Sequence, residues 1–256
     1  MQKGSMGRKV DEPRSFSDCN DGRVVTGWQN VVGSFAGAVK SKDEPIQGCA
    51  KGCFFISALK AVAFKANGTL MKNATNFTFL NTTTMAEENQ VLNDVKVAID
   101  TTTSKPVYAR CKNVNYHWPL LYEKAYALWL DSKNTQRHWD PVDPTQPDIK
   151  TIFQNGGNGV TAMMHISRYR NFVEKQNIAG AFNGTIPSYP MIAATRAIDP
   201  ANLRLPDQLT AKHTYMISRK DALYFYLVDP CSNTEKRLTI SKLSTNYFDT
   251  WGYVKP

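Results

Sequence analysis

The chain has 256 residues, enough to bury a real core in one large domain or two lobes. It is 42% apolar and 21% charged, ordinary for a folded protein, and its longest apolar run is about one helix long and broken by Lys60, which excludes a membrane span. The net charge of +9 is scattered, with no run of Lys or Arg longer than two, so it reads as a solvated basic surface with no nucleic-acid groove.

Residues 1–40 are polar and glycine-bearing, with a short apolar patch at Val31–Phe35, and are expected to be an N-terminal extension of loop with at most a short helix. The opening MQKGSMGRK looks partly vector-derived, and a trimmed secretion signal would leave no trace. Next comes IQGCAKGCFFISALKAVAF, Ile46 to Phe64, where a glycine-rich polar turn runs into a block with almost no polar face. A helix apolar all round is a buried one. Cys53 falls where turn becomes helix, where free backbone N–H groups and the positive dipole end favour a thiolate. Gln47, six residues earlier and followed by Gly48, is placed to bring an amide donor near the sulfur and to share an oxyanion with the Cys53 N–H.

Asn67-Gly68 signals a turn, and residues 70–99 read as β-structure, including the alternating NFTFLN and the run VKVAID. Val107–Ala109 is a further short strand candidate. WPLLYEKAYALWL, Trp118 to Leu130, has helical spacing with Pro119 in the first turn. Residues 131–150, with DPVDPTQPD, read as a surface loop. NGGNG at 155–159 opens a helix from Val160; lacking a following Lys-Ser/Thr, it reads as a turn or a wall for a bound backbone. From Tyr189 onward the chain reads as strands, which makes the whole α+β. No internal repeat stands out.

The five cysteines, Cys19, Cys49, Cys53, Cys111 and Cys231, are odd in number and lack CxxC pairs. They read as neither a zinc site nor a disulfide framework, and an odd cysteine in a reduced protein is compatible with a catalytic thiol. Five N-x-S/T sequons, at Asn67, Asn73, Asn76, Asn81 and Asn183, are weak evidence for secretion.

A thiol nucleophile needs a base. His117, His138 and His165 read as surface or locally satisfied histidines. His213 opens HTYMISR, which turns at RKDA into LYFYLVD, an antiparallel hairpin centred on residue 221 that sets His213 opposite Asp229. A carboxylate beside an imidazole fixes its tautomer and stabilises the imidazolium, which in turn supports a thiolate.

QGCAKGCFFISAL, YARCKNVNYHWPLLYEKAYALW, NGGNGV, KHTYMI and VDP, with FTFLN and VKVAID standing as paired strands, together resemble the protease core of the calpains, within the papain-like cysteine peptidases, over residues 43–232. The resemblance implies two lobes with a cleft between them, residues 41–165 carrying the nucleophile helix and the β-rich 166–256 carrying His and Asp. It implies Cys53 as nucleophile, His213 as base and then acid, Asp229 as orienter, Gln47 as oxyanion donor, and Gly156 and Gly157 as substrate-backbone contacts. It also implies calcium, with Glu44 and Glu123 as the acids most similar to first-lobe ligands, and no organic cofactor. Protein or peptide substrates, no nucleic acid, no membrane span, a monomer and a cytoplasmic setting follow as expectations, with secretion open if a signal was trimmed.

Four departures stand out. Asp229 replaces asparagine, Cys231 replaces the tryptophan that covers the site, Lys51-Gly52 replaces Gly-Asp and adds a charge able to lower the thiol pKa, and Lys212 replaces a glycine. Two alternatives remain beside the endopeptidase: a transglutaminase-like acyl transferase, which uses the same Cys-His-Asp order, and a degenerate protease domain kept as a binding module.

Overall fold

Two short strands, β1 (Gly27–Asn30) and β2 (Pro45–Ile46), precede the helix α1 (Cys53–Ala66). The computed structural model describes residues 22–31, 45–66, 74–112, 116–175, 178–196, 209–243 and 248–256. The expected central helix is buried on every side from Phe54 to Ala63, including Lys60, whose ammonium reaches the Asn233 side chain. Each fully buried large apolar side chain there contributes about 1.5–3 kcal/mol.

β1 was expected to be loop. It pairs antiparallel with β5 (Lys96–Asp100), Trp28 opposite Ala98, because the edge of β5 needs partners that a polar stretch can supply through its backbone. β3 (Asn76–Asn81) holds NFTFLN as expected, but its partner is β4 (Ala86–Val91), so FTFLN and VKVAID are not paired with each other. β4 falls within the 70–99 stretch expected to be β-structure; it reads AEENQV, too polar to show a period of its own, and is carried by the ladder to β3. Val107–Ala109 is not a strand either. It runs as bends between β6 (Lys105–Pro106) and β7 (Arg110–Cys111). Its backbone is spent elsewhere: the Val107 carbonyl accepts from Cys49 N–H, and Ala109 N–H donates to the Glu123 carboxylate at 2.6 Å.

α2 (Trp118–Asp131) is the expected Pro-opened helix, and EKAYA is its working segment. Lys124, buried, donates to Asp94 at 2.5 Å and to the Lys96 carbonyl, tying α2 to the β5 region. Tyr126 stacks on Phe55 of α1 with ring centroids 4.6 Å apart, while Tyr122 meets Phe77 and Phe79 edge-on. After a largely irregular 132–148, α3 (Ile149–Ile152) and α4 (Gly159–Ser167) follow, the latter capped by Asn158, which accepts from Val160 and Thr161 N–H.

β8 (Asn171–Glu174) and the small hairpin β9 (Phe182–Asn183) and β10 (Ile186–Pro187) lead to β11 (Met191–Thr195), β12 (Thr214–Lys220), β13 (Tyr224–Val228) and β14 (Glu235–Thr239). A single helical turn, α5 (Ile240–Leu243), and β15 (Phe248–Lys255) complete the order. Six of these strands form one antiparallel sheet, ordered β14-β13-β12-β11-β15-β8. Its faces divide by the period of two. Ile192, Met216, Val228 and Val254 join the core around α1, α2 and α4, whereas Met191, Ala193, Tyr215, Ile217, Phe225 and Leu227 build a second core on the far face. The molecule is thus α+β. Among the described residues, no helix is long and apolar enough to cross a membrane.

Candidate active site

Cys53 is the first residue of α1 and 3% exposed, yet it belongs to neither apolar core. Burial alone would push its thiol up. Hydrogen bonding and charge from His213, with the Thr214 backbone and side chain, outweigh this and hold the thiol below its ordinary value. The main causes of that shift are His213 and Thr214, and Lys51 is not among them.

His213 immediately precedes β12 and is 2% exposed. Its backbone is clamped to Thr195, whose hydroxyl accepts from His213 N–H at 2.9 Å and whose N–H donates to the His213 carbonyl at 2.8 Å. The ring edge meets Tyr215. Nε2 lies 3.3 Å from Asp229 Oδ1, leaving Nδ1 for the sulfur. Burial lowers the imidazole pKa, but hydrogen bonds to Asp229 and Cys53 and their charges more than reverse that, raising it to about 9. Asp229 loses from burial and gains from His213, Cys231 N–H and Lys236, and ends well below the usual carboxylate range. The pair does not sit as cross-strand partners, however. The symmetric hairpin would place Met216 opposite Tyr226; Met216 instead faces Val228, and a bulge at Ser218 shifts the register once more between there and the turn. Both residues lie just past the ladder's end, where the side chains still meet.

Gln47, 1% exposed, hangs from the turn by three bonds: its Nε2 donates to the Ala50 carbonyl at 2.9 Å, its N–H to the Pro230 carbonyl at 2.8 Å, and its carbonyl accepts from Arg110. The first bond uses one amide hydrogen and leaves the other. Gly48 is required by close approach, since a Cβ there would stand 1.9 Å from the Tyr108 carbonyl oxygen. Gly156 takes φ +64° and Gly157 lies flat on the Phe54 ring, where a Cβ would come within 2.5 Å. The glycine turn therefore packs against the side chain of the residue that follows Cys53.

The structure brings Cys53, His213, Asp229 and Gln47 into one site, with Gly157 at its edge. Glu44 lies outside the described residues. Glu123 sits under the nucleophile turn, its Oε1 3.3 Å from where a Gly52 Cβ would be, and burial raises its pKa to about 8 despite the Ala109 N–H. One carboxyl does not make a site for a cation that takes about six to eight oxygens. Among the described residues, the one cluster of three or more ligand-type side chains is His213, Asp229 and Cys231, and Cys231 is disulfide-bonded. That bond departs from the reading of the cysteines as those of a reduced protein without a disulfide framework, and a disulfide sulfur cannot ligate as a thiolate. The remaining histidines are local: His165 is bonded to Tyr126 at 2.9 Å and lowered by burial to about 4, and His138 bonds Asp131 at 2.7 Å. His165 is buried, not on the surface.

No family model matches this chain, and no curated protein matches it by sequence.

Proposed function

We propose that the protein is a cysteine endopeptidase of papain-like, calpain-like type. The observation that carries the reading is the arrangement around one imidazole: a buried thiol at the start of α1 whose acidity His213 increases, and His213 Nε2 at 3.3 Å from Asp229. The pKa directions, thiol down and imidazole up, describe a thiolate–imidazolium pair.

The Cys53 thiolate attacks the peptide carbonyl carbon. Negative charge develops on the carbonyl oxygen, for which the second Gln47 amide hydrogen and the Cys53 N–H at the start of α1 are the available donors. His213 then gives its proton to the departing amine, leaving a thioester. A water, losing a proton to the now neutral imidazole, attacks the thioester and frees the acid. Asp229 keeps the ring oriented and its charge balanced throughout. Gly157, exposed and lacking a Cβ, offers backbone to an extended substrate. No step is routed through calcium, for which Glu123 is the single described candidate ligand.

Asp229, a carboxylate instead of an amide, also suits a transglutaminase-like acyl transferase, in which an amine replaces water in the second step. The test is covalent labelling by an irreversible thiol-directed peptide inhibitor, located by mass spectrometry. The expected result is one adduct, on Cys53, absent in Cys53→Ala and at least tenfold slower in His213→Ala. Labelling at Cys49 or Cys111 alone, or none, rejects both enzymatic readings and leaves a binding module.

A further inference from the structure

The mechanism leaves one sulfur at the site without a role. Cys231 is disulfide-bonded, and its Sγ stands 3.8 Å from His213 Nε2 and 3.8 Å from Gln47 Oε1. Its own N–H donates to Asp229 Oδ1 at 2.8 Å. The residue before it accepts the Gln47 N–H, and Asn233, two residues on, holds the ammonium of Lys60 in α1. One turn, residues 229–234, therefore touches the orienting carboxylate, the imidazole and the oxyanion glutamine together.

We infer that the Cys231 disulfide is a positioning element of this active site, covering the Nε2 edge of His213 and packing against the Gln47 amide, so that the site is complete only in the oxidised protein. The inference rests on the peptidase reading. A disulfide sulfur is apolar and carries no proton. A free thiol in the same place is an acid facing an imidazolium, and such a neighbour favours its thiolate. It would compete with Cys53 for the charge of His213 and loosen the covered edge. Reduction by a dithiol brings this about: the S–S bond accepts two electrons, each sulfur takes one proton, and the reductant leaves as its own disulfide. The groups facing His213 are Cys53 from α1, Asp229 and Cys231 from the turn after β13, Tyr215 from β12, and Lys236 of β14 through Asp229 at 3.3 Å. Attraction from Asp229 and Cys53 outweighs the burial cost in the closed site, so opening it to water weakens both and returns the imidazole toward its ordinary value of about 6.5.

Such a site belongs in an oxidising compartment, where disulfides persist. The exposed sequon residues Asn76 and Asn183 agree with that setting.

The test follows the ring C–H signals of His213 by NMR against pH, beside peptide-resolved alkylation of Cys53 by iodoacetamide. Three forms are compared: the disulfide-intact protein, the same protein after a phosphine or dithiol reductant, and Cys231→Ser. Circular dichroism reports folding, so the reductant arm stands if the variant does not fold. The expected result is an intact-protein titration near pH 9 that falls by about one unit or more on reduction and in the variant, a Cys53 alkylation onset that moves up, and a loss of about tenfold in kcat/KM. Superimposable curves in all three forms overturn the inference while leaving the peptidase reading in place. An intact protein whose His213 and Cys53 titrate as isolated groups overturns both.

Discussion

Lys212 holds φ at 51°, in the left-handed region that costs an L side chain about 1 kcal/mol and glycine almost nothing. The calpain pattern has glycine at this position, and the geometry explains why the backbone before the histidine wants one. Lys212→Gly is therefore expected to raise stability by about 0.5–1 kcal/mol in urea denaturation, with the midpoint moving up and the slope unchanged. One residue on, His213 binds its proton more tightly folded than unfolded. Its stabilising contribution is complete below its unfolded pKa of about 6.5 and is lost as pH rises through about 9. On the proposed peptidase mechanism catalysis needs the imidazolium, so kcat/KM is expected to fall above about pH 9. Asp229→Asn keeps an acceptor at Nε2 but removes the charge. The upper limb of that pH profile should move down by roughly one unit, and an unmoved limb would mean that Asp229 does not face the ring in solution.

At the scale of elements, α1, α2 and α4 were legible because each combines a helical apolar period with its own start signal: the glycine turn before Cys53, Pro119, and the Asn158 cap. β1 and β6 were not, and β4 was read as β only as part of the broad stretch 70–99. Their residues are polar or too few to show a period of two, and what makes them strands is the backbone of a distant partner. The same limit appears in the site. Hairpin symmetry brought His213 and Asp229 together, but nothing local marks the bulge at Ser218, which Glu235 on the next strand holds through a 2.6 Å bond to the hydroxyl. Gly48 could be read as a turn residue, yet its constraint comes from the Val107 and Tyr108 carbonyls lying sixty residues away. Gly48→Ala is accordingly expected to cost about 3 kcal/mol, measured by thermal unfolding, and to take the Gln47 loop with it; a loss under about 0.5 kcal/mol would contradict the packing described.

At the scale of the whole molecule, one sheet serves two cores, and the face that meets α1 carries His213 at its edge and Met216 and Val228 beneath. Residue pattern made the sheet's strands after Tyr189 visible but not β8; that its inner face completes the helical core depends on burial that only the assembled chain shows. Glu123, expected from the resemblance to be a metal ligand, is a fully buried acid that lies beneath the turn carrying Gly52. Its folded pKa, about 8, lies above the unfolded value, so the folded state keeps a proton that the unfolded chain gives up, and stability falls as pH rises from about 4.5 to 8. Glu123→Gln should remove that slope, gaining on the order of 3 kcal/mol over the native chain between pH 4.5 and 7 in denaturant titrations. Parallel curves for the two proteins would place Glu123 in water or on a cation.

The most direct measurement of the central claim is mass spectrometry of an unfolded protein substrate incubated with the disulfide-intact chain and a primary amine. The account predicts new peptide termini, absent with Cys53→Ala and with His213→Ala. Intact substrate, or substrate carrying the amine on its glutamines with no backbone cleaved, would contradict it.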